Sequence, residues 1–435
     1  MSKDALPQQS LSALYSHSFE QFKAEQQTSQ HVVFSTGNFN DFFLPPLDAA
    51  LKLLGVKNPT LFGIESAEKH LKLPLNIKPS SRHKLTKEGV GLPSATKLIE
   101  WVTELVLQVI TKDAVFSEKQ LIESMLVNSN AAGWYFGVNN AVQMKQANST
   151  DEFTAFTPLL KFITQRCRAD LDCLNLAKCR IEEYGLEGLS LADMLAIQAP
   201  FWLANSEIDN ATWECYCEVL LQSQAQTIRD KQTELAVFRC FAEMQFDFYL
   251  AAIASYEVGH TLSASTDIEV VTKPNGLLTR GILFYTDGIA KNCFDGFLHE
   301  LKRVYGIQLG EVNWRWMASF IDIEGESSDE IEEQYDRLKK WRSGKGSISN
   351  KKLLHFFQNL VGTDDMDSLL LLNEYARIAL GLDRQITLFK QQYKVAESTT
   401  VELDKILKQV LAQYPNYYLR CVERELLLIK KRQPV

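Results

Sequence analysis

Four side chains in the very apolar stretch 238–260 have the types and spacing for metal chemistry: Glu243, Asp247, Glu257 and His260. Glu257 and His260 form a Glu-x-x-His, which sets a carboxylate and an imidazole on one helix face, as in di-iron helical bundles. Such a centre needs two of these pairs plus further carboxylates, and this chain holds one pair. Arg239, Glu243 and Asp247 also recur every four residues, so they stack on one face. The simpler expectation there is salt bridging in a central helix, with Glu257 and His260 near that helix's end.

Two further clusters invite the same question. Asp287, Lys291, Asp295, His299 and Arg303 are spaced by four with mixed signs; this pattern describes a solvated helix face laced with weak ion pairs. Asp364, Asp365 and Asp367 sit at the start of a helix expected from Met366, where carboxylates complement the positive end of the helix dipole. Ser343-Gly344-Lys345-Gly346-Ser347 has a Gly-Lys pair without the upstream Gly and strand of a phosphate loop. His-Glu-x-x-His, Cys-x-x-Cys and Gly-x-Ser-x-Gly do not occur. The eight cysteines, among them Cys167, Cys173 and Cys179 at intervals of six, lack metal or framework spacing and read as buried, reduced thiols.

The segment from Arg337 to Lys352 stands apart. It carries seven basic residues, Arg337, Lys339, Lys340, Arg342, Lys345, Lys351 and Lys352, and no acidic one, in a chain with 46 Lys and Arg against 54 Asp and Glu and a net charge of -8. A concentrated basic run against an acidic background is the composition of a phosphate-facing patch.

The order of residues adds to this. Leu338-Lys339-Lys340-Trp341-Arg342-Ser343-Gly344-Lys345 is followed by Ser349 as an N-cap, then by Leu353, Phe356, Phe357 and Leu360 on one helix face. This pattern resembles the back half of a phage-repressor-like helix-turn-helix domain. In that family the recognition helix ends in Trp, two residues, Gly and Lys, and a capped helix then closes the small bundle. The resemblance implies that Gly344 stops the helix in the left-handed conformation, that Trp341 packs beneath it and that the basic side chains reach phosphates. The match departs from the family at Ile348, where the family has Pro, and in the helix before it, which lacks a Gln-x-x-Leu-Ala start. Met317 to Ile321 is a degenerate counterpart of that start, separated by the acidic stretch from Glu324 to Glu333.

The elements that must position these residues are helical. At 46% hydrophobic and 23% charged, 435 residues have the composition of an ordinary globular chain, long enough for two or three domains. Seven of the 12 prolines (Pro7, Pro45, Pro46, Pro59, Pro74, Pro79 and Pro93) precede residue 94, so residues 1–93 are expected to be irregular with short helices. A helix over 11–23 and a short strand over 31–35 are expected within them. From Ser94, read as an N-cap, Leu98, Val102, Leu105, Val106 and Val109 repeat at three and four residues. Helical periodicity continues to the C-terminus, with one break where Ile268-Glu269-Val270-Val271 is β-rich and Pro274-Asn275-Gly276 is turn chemistry. A small β-hairpin or a bare loop is the expectation near 268–285. The fold class is therefore all-α, in three regions: residues 1–93, a central helical core at 94–265 and a C-terminal helical region at 266–435 with the helix-turn-helix-like element at 313–361. No repeat period and no alternating strand–helix pattern appears, which removes solenoids and nucleotide-binding α/β folds.

The longest apolar run, Phe248 to Ala254, is far below membrane-spanning length, and the first residues lack the apolar core of a secretory signal. The expectation is a cytoplasmic, non-enzymatic binding protein without a cofactor, its partner duplex DNA met through the basic element. The rivals are a helical scaffold with protein partners only and a metal-dependent helical-bundle enzyme.

Overall fold

The computed structural model describes residues 43–432, apart from 54, 57, 83, 85–88, 110–114, 118, 122–130, 148–154, 186–189, 223–230, 266, 311, 324–328, 347, 363 and 393–399. Among the described residues the fold is all-α, without a β-strand. The helices are α1 Leu47–Leu53, α2 Pro59–His70, α3 Pro79–Arg82, α4 Leu92–Val109, α5 Ala131–Ala147 and α6 Thr157–Tyr184. Next come α7 Leu191–Asn205, α8 Asn210–Gln222, α9 Lys231–Ala264, α10 Ile268–Val271, α11 Leu277–Thr286 and α12 Cys293–Leu309. The last six are α13 Trp314–Ala318, α14 Glu330–Arg342, α15 Asn350–Val361, α16 Met366–Gln392, α17 Thr400–Leu411 and α18 Tyr414–Arg432. The helix and strand expected over 11–23 and 31–35 lie outside the described residues.

The chain divides into two compact units. The first comprises residues 1–52, 56–150 and 163–172; the second comprises 53–55, 151–162 and 173–435. In the first, Ile64, Leu73, Leu75, Ile77, Leu98, Trp101 and Leu105 form a buried cluster. The Pro-bounded segment over it is pinned by polar bonds rather than by regular structure. Arg82 grips Glu68 with two hydrogen bonds of 2.9 and 2.8 Å, Glu68 accepts from Leu75 N, and Trp101 Nε1 donates to Leu73 O at 3.0 Å. The Arg82 guanidinium holds the Glu68 carboxyl below its ordinary range. Helix α4 starts at Leu92, so Ser94 lies inside its first turn and is not its N-cap; Pro93 fits there because first-turn N–H groups have no intrahelical acceptor.

The second unit is built on α9, which packs against α8, α17 and α18. Its apolar side, with Phe238, Ala242, Phe246, Leu250, Ala254 and Val258, is almost wholly buried. The hairpin expected near 268–285 is helical instead, as α10 and α11. Asp267 caps Glu269 N at 2.9 Å and starts α10, while Leu278, Ile282 and Tyr285 recur at helical spacing and are buried. Helix α11 then packs along α12 at a crossing of two glycines. A Cβ on Gly296 would lie 2.0 Å from Gly281 O, so only glycine permits this approach.

The capping of α11 explains a buried carboxylate. Gly276 precedes this helix and has no side chain to satisfy its first N–H groups. Glu257 of α9 supplies the missing acceptor: Oε1 accepts from Leu278 N (2.9 Å) and Thr279 N (3.2 Å), and Oε2 from Thr279 Oγ1 (2.6 Å) and Tyr414 OH (3.0 Å). One carboxylate thus joins α9, α11 and α18. Burial pushes its pKa up, against the four donors that favour the charged form.

Candidate nucleic-acid interface

Helix α14 is set by its ends. Asp329 caps Glu332 N at 3.2 Å, the first turn carries Glu330, Glu332 and Glu333, and the last carries Lys339, Lys340 and Arg342, each complementing the dipole. Gln334, Leu338 and Trp341 form the buried stripe. The helix stops in a Schellman motif: Lys345 N donates to Lys340 O and Gly344 N to Trp341 O, both at 3.1 Å, with Gly344 at φ +68°. Ser349 caps Lys352 N at 3.2 Å and opens α15, whose Leu353, Phe356, Phe357 and Leu360 are buried. Trp341 meets Phe356 edge to face at 5.9 Å. Each local feature read in the sequence from Trp341 to Leu360 is therefore present.

The basic residues do not act alike. Arg337 pairs with Glu333 (3.1 Å) and donates to Asp322 O, while Lys339 pairs with Asp336 (2.9 Å) and lies 4.1 Å from the centre of the Tyr335 ring. The Lys339 bond holds the Asp336 carboxyl below its ordinary value, with a smaller contribution from Lys340. Arg342 turns inward: its Nε donates to Asp295 Oδ1 at 2.6 Å, its guanidinium lies 3.5 Å from the centroid of the Trp314 ring, and NH2 contacts His299 Nε2 at 3.1 Å. Since a guanidinium only donates, His299 Nε2 accepts and the ring is neutral with its proton on Nδ1. Burial also lowers the His299 pKa, opposed by Asp295 and reinforced by Arg342 and Lys302. Arg342 is thus held by Asp295, Trp314 and His299.

Lys340, Lys345, Lys351 and Lys352 are exposed. Among the described residues Lys340, Lys345 and Lys351 form no ion pair. They border the Schellman-capped end of α14 and the Ser349-capped start of α15.

Asp295 and His299 were read in the sequence as part of a solvated face. In the structure Asp295 is 1% exposed, and accepts from Lys291 N (2.9 Å) as well as from Arg342. The signal that could have revealed it is its setting, a carboxylate inside the run Cys293-Phe294-Asp295-Gly296-Phe297-Leu298. Its partner lies too far along the chain for periodicity to show.

The four residues of the metal reading do not converge. Glu243 bonds Thr212 Oγ1 (2.7 Å) and pairs with Arg239 (3.0 Å), and Asp247 accepts from Glu207 N (2.8 Å) and Tyr417 OH (3.2 Å). Glu257 caps α11. His260 lies near the end of α9, which stops at Ala264, among Phe156, Tyr256 and Tyr375, with burial lowering its pKa. Among the described residues no group of three or more His, Cys, Asp or Glu side chains is placed to hold a metal ion. The acidic cluster at 364–367 does what its position suggests: Asp365 accepts from Ser368 N at 3.0 Å at the start of α16. The cysteines are all free thiols, but Cys179 is exposed and Cys173, Cys215 and Cys217 are half-buried, so buried thiols describe only Cys167, Cys240, Cys293 and Cys421.

No helix among the described residues is long and apolar enough to cross a membrane. Comparison with known proteins finds no family model, no curated protein and no solved structure that matches this chain.

Proposed function

We propose that this chain is a non-enzymatic binding protein that meets the phosphates of duplex DNA through the corner between α14 and α15, with Lys340, Lys345, Lys351 and Lys352 as the contacting side chains. The observation that carries the reading is the exposed lysines gathered at the capped end of α14 and the capped start of α15 in a chain that is acidic overall. Lysines carried at helix ends are presented without the ordering cost of a flexible tail. The helix-turn-helix resemblance supports the same corner, with one revision: Arg337, Lys339 and Arg342 serve the protein's own carboxylates. The protein is taken to be cytoplasmic, in keeping with eight free thiols.

A second reading, contact with a protein partner, is favoured by the acidic first turn of α14 and by Ile331 within it, which is 58% exposed. The two separate by salt. Fluorescence anisotropy of a labelled duplex, titrated with the full chain at rising salt, should show affinity falling steeply. Each lysine replaced by Ala at 340, 345 or 351 should flatten the log–log slope by about one. No binding at low salt, or an unchanged slope in the triple variant, removes DNA contact and leaves the protein-partner reading.

A further inference from the structure

We propose that Cys215 and Cys240 form a reversible disulfide on exposure to a peroxide, making the α8–α9 pair a redox-modification site. Helix α8 lies against α9, and the Cys240 thiol donates to Thr212 O of α8 at 3.3 Å. Cys215 stands three residues beyond Thr212, one helical turn along the same face. That sets its side chain toward the spot where the Cys240 sulfur arrives, and after burial Cys215 is the neighbour that most raises the Cys240 pKa. The helices are registered next to the pair, by Thr212 Oγ1 on Glu243 (2.7 Å) and by Tyr216 against Phe241 (5.7 Å).

The two thiols differ in a way that divides the labour. Cys215 is half-buried and reachable from solvent, whereas Cys240 is 3% exposed. Burial also raises the Cys240 pKa, which suits a resolving rather than an attacking thiol. In the first step the Cys215 thiolate attacks one oxygen of hydrogen peroxide, the O–O bond breaks, and with one proton taken up the products are Cys215 sulfenic acid and water. In the second, the Cys240 sulfur displaces the sulfenic oxygen, which leaves as a second water carrying the Cys240 proton. Two thiols lose two electrons and two protons, and one peroxide becomes two waters. A small-molecule dithiol restores both thiols by exchange.

Cys217 is the internal control. It is half-buried and near Cys240, yet two residues from Cys215 and therefore turned to a different side of α8. The test is peptide mapping by mass spectrometry of the native full chain after brief treatment with hydrogen peroxide and alkylation of the remaining thiols. The expected product is one cross-linked pair of peptides containing Cys215 and Cys240, lighter by two hydrogens, that separates after dithiothreitol. Cys215→Ser should abolish it and Cys217→Ser should leave it. A wild-type chain in which Cys240 stays alkylatable, or in which Cys215 pairs with Cys217 or with the exposed Cys179, would overturn the proposal. The wild-type map decides this even if a serine variant folds poorly.

Discussion

Arg342 Nε and Asp295 Oδ1 stand 2.6 Å apart, joining the last turn of α14 to the first turn of α12. Asp295 is 1% exposed, and the Arg342 side chain is sandwiched against Trp314 with its backbone oxygen held by Asn292 Nδ2 at 3.0 Å. Removing one partner leaves the other charge buried without compensation, which typically costs about 3–5 kcal/mol. Arg342→Ala and Asp295→Ala should therefore each lower the midpoint of urea unfolding strongly. The double variant should be less destabilised than the sum of the two. Additive losses would show that the pair is not coupled.

Exposed lysines on the same corner should behave in the opposite way. Lys340→Ala, Lys345→Ala and Lys351→Ala each remove an exposed charge that is not ion-paired among the described residues, and such substitutions usually stay within about 0.5 kcal/mol. The combined variant should unfold at nearly the wild-type urea concentration. A large loss of stability would mean that these side chains hold the fold, and would undercut their assignment as a contact surface.

Asp383 makes stability depend on pH. Its two oxygens accept from Cys293 N (2.8 Å) and Phe294 N (3.0 Å) at the start of α12, and burial pushes its pKa up to about 6. An unfolded aspartate titrates near about 3.9, so the folded chain binds this proton more tightly. The contribution of Asp383 to stability is then fully present below pH of about 4 and is lost as pH rises through about 6, by up to about 3 kcal/mol. The unfolding free energy of wild type minus that of Asp383→Asn should fall across that window. A difference that is flat with pH would contradict the raised value.

The Glu257 cap makes a steric prediction at a glycine with an ordinary backbone. Gly276 has φ -65°, yet a Cβ there would sit 2.2 Å from Glu257 Oε1. Gly276→Ala should cost about 1–3 kcal/mol through crowding alone. Tyr414→Phe removes one of the four donors to the same carboxylate and should cost about 1 kcal/mol. Thermal denaturation followed by circular dichroism checks both; a neutral Gly276→Ala would mean that the carboxylate moves aside freely.

What the sequence made legible was local. Trp341, Gly344 and Ser349 act on atoms within a few residues of themselves, so residue type and spacing sufficed to place the helix stop, the buried ring and the next cap. The segment 268–285 departs from the sequence reading because β-branched Ile268, Val270 and Val271 suggest a strand, whereas the helix cap at Asp267 and the burial of Val271 decide the matter. Asp295 was misread because its meaning depends on Arg342, 47 residues away. The metal reading of α9 dissolved for the same reason: Glu257 serves a helix start on α11, and Asp247 serves the backbone at Glu207.

The glycine crossing of α11 and α12 bears on the order in which the second unit assembles. The two helices are neighbours in sequence, so bringing Gly281 against Gly296 closes a short loop at small entropic cost, while α9 must find α17 and α18 across most of the C-terminal half. The α11–α12 hairpin is therefore the natural nucleus on which α16 and α17 can settle, and its tight backbone approach would be formed before the long-range contacts that surround Glu257.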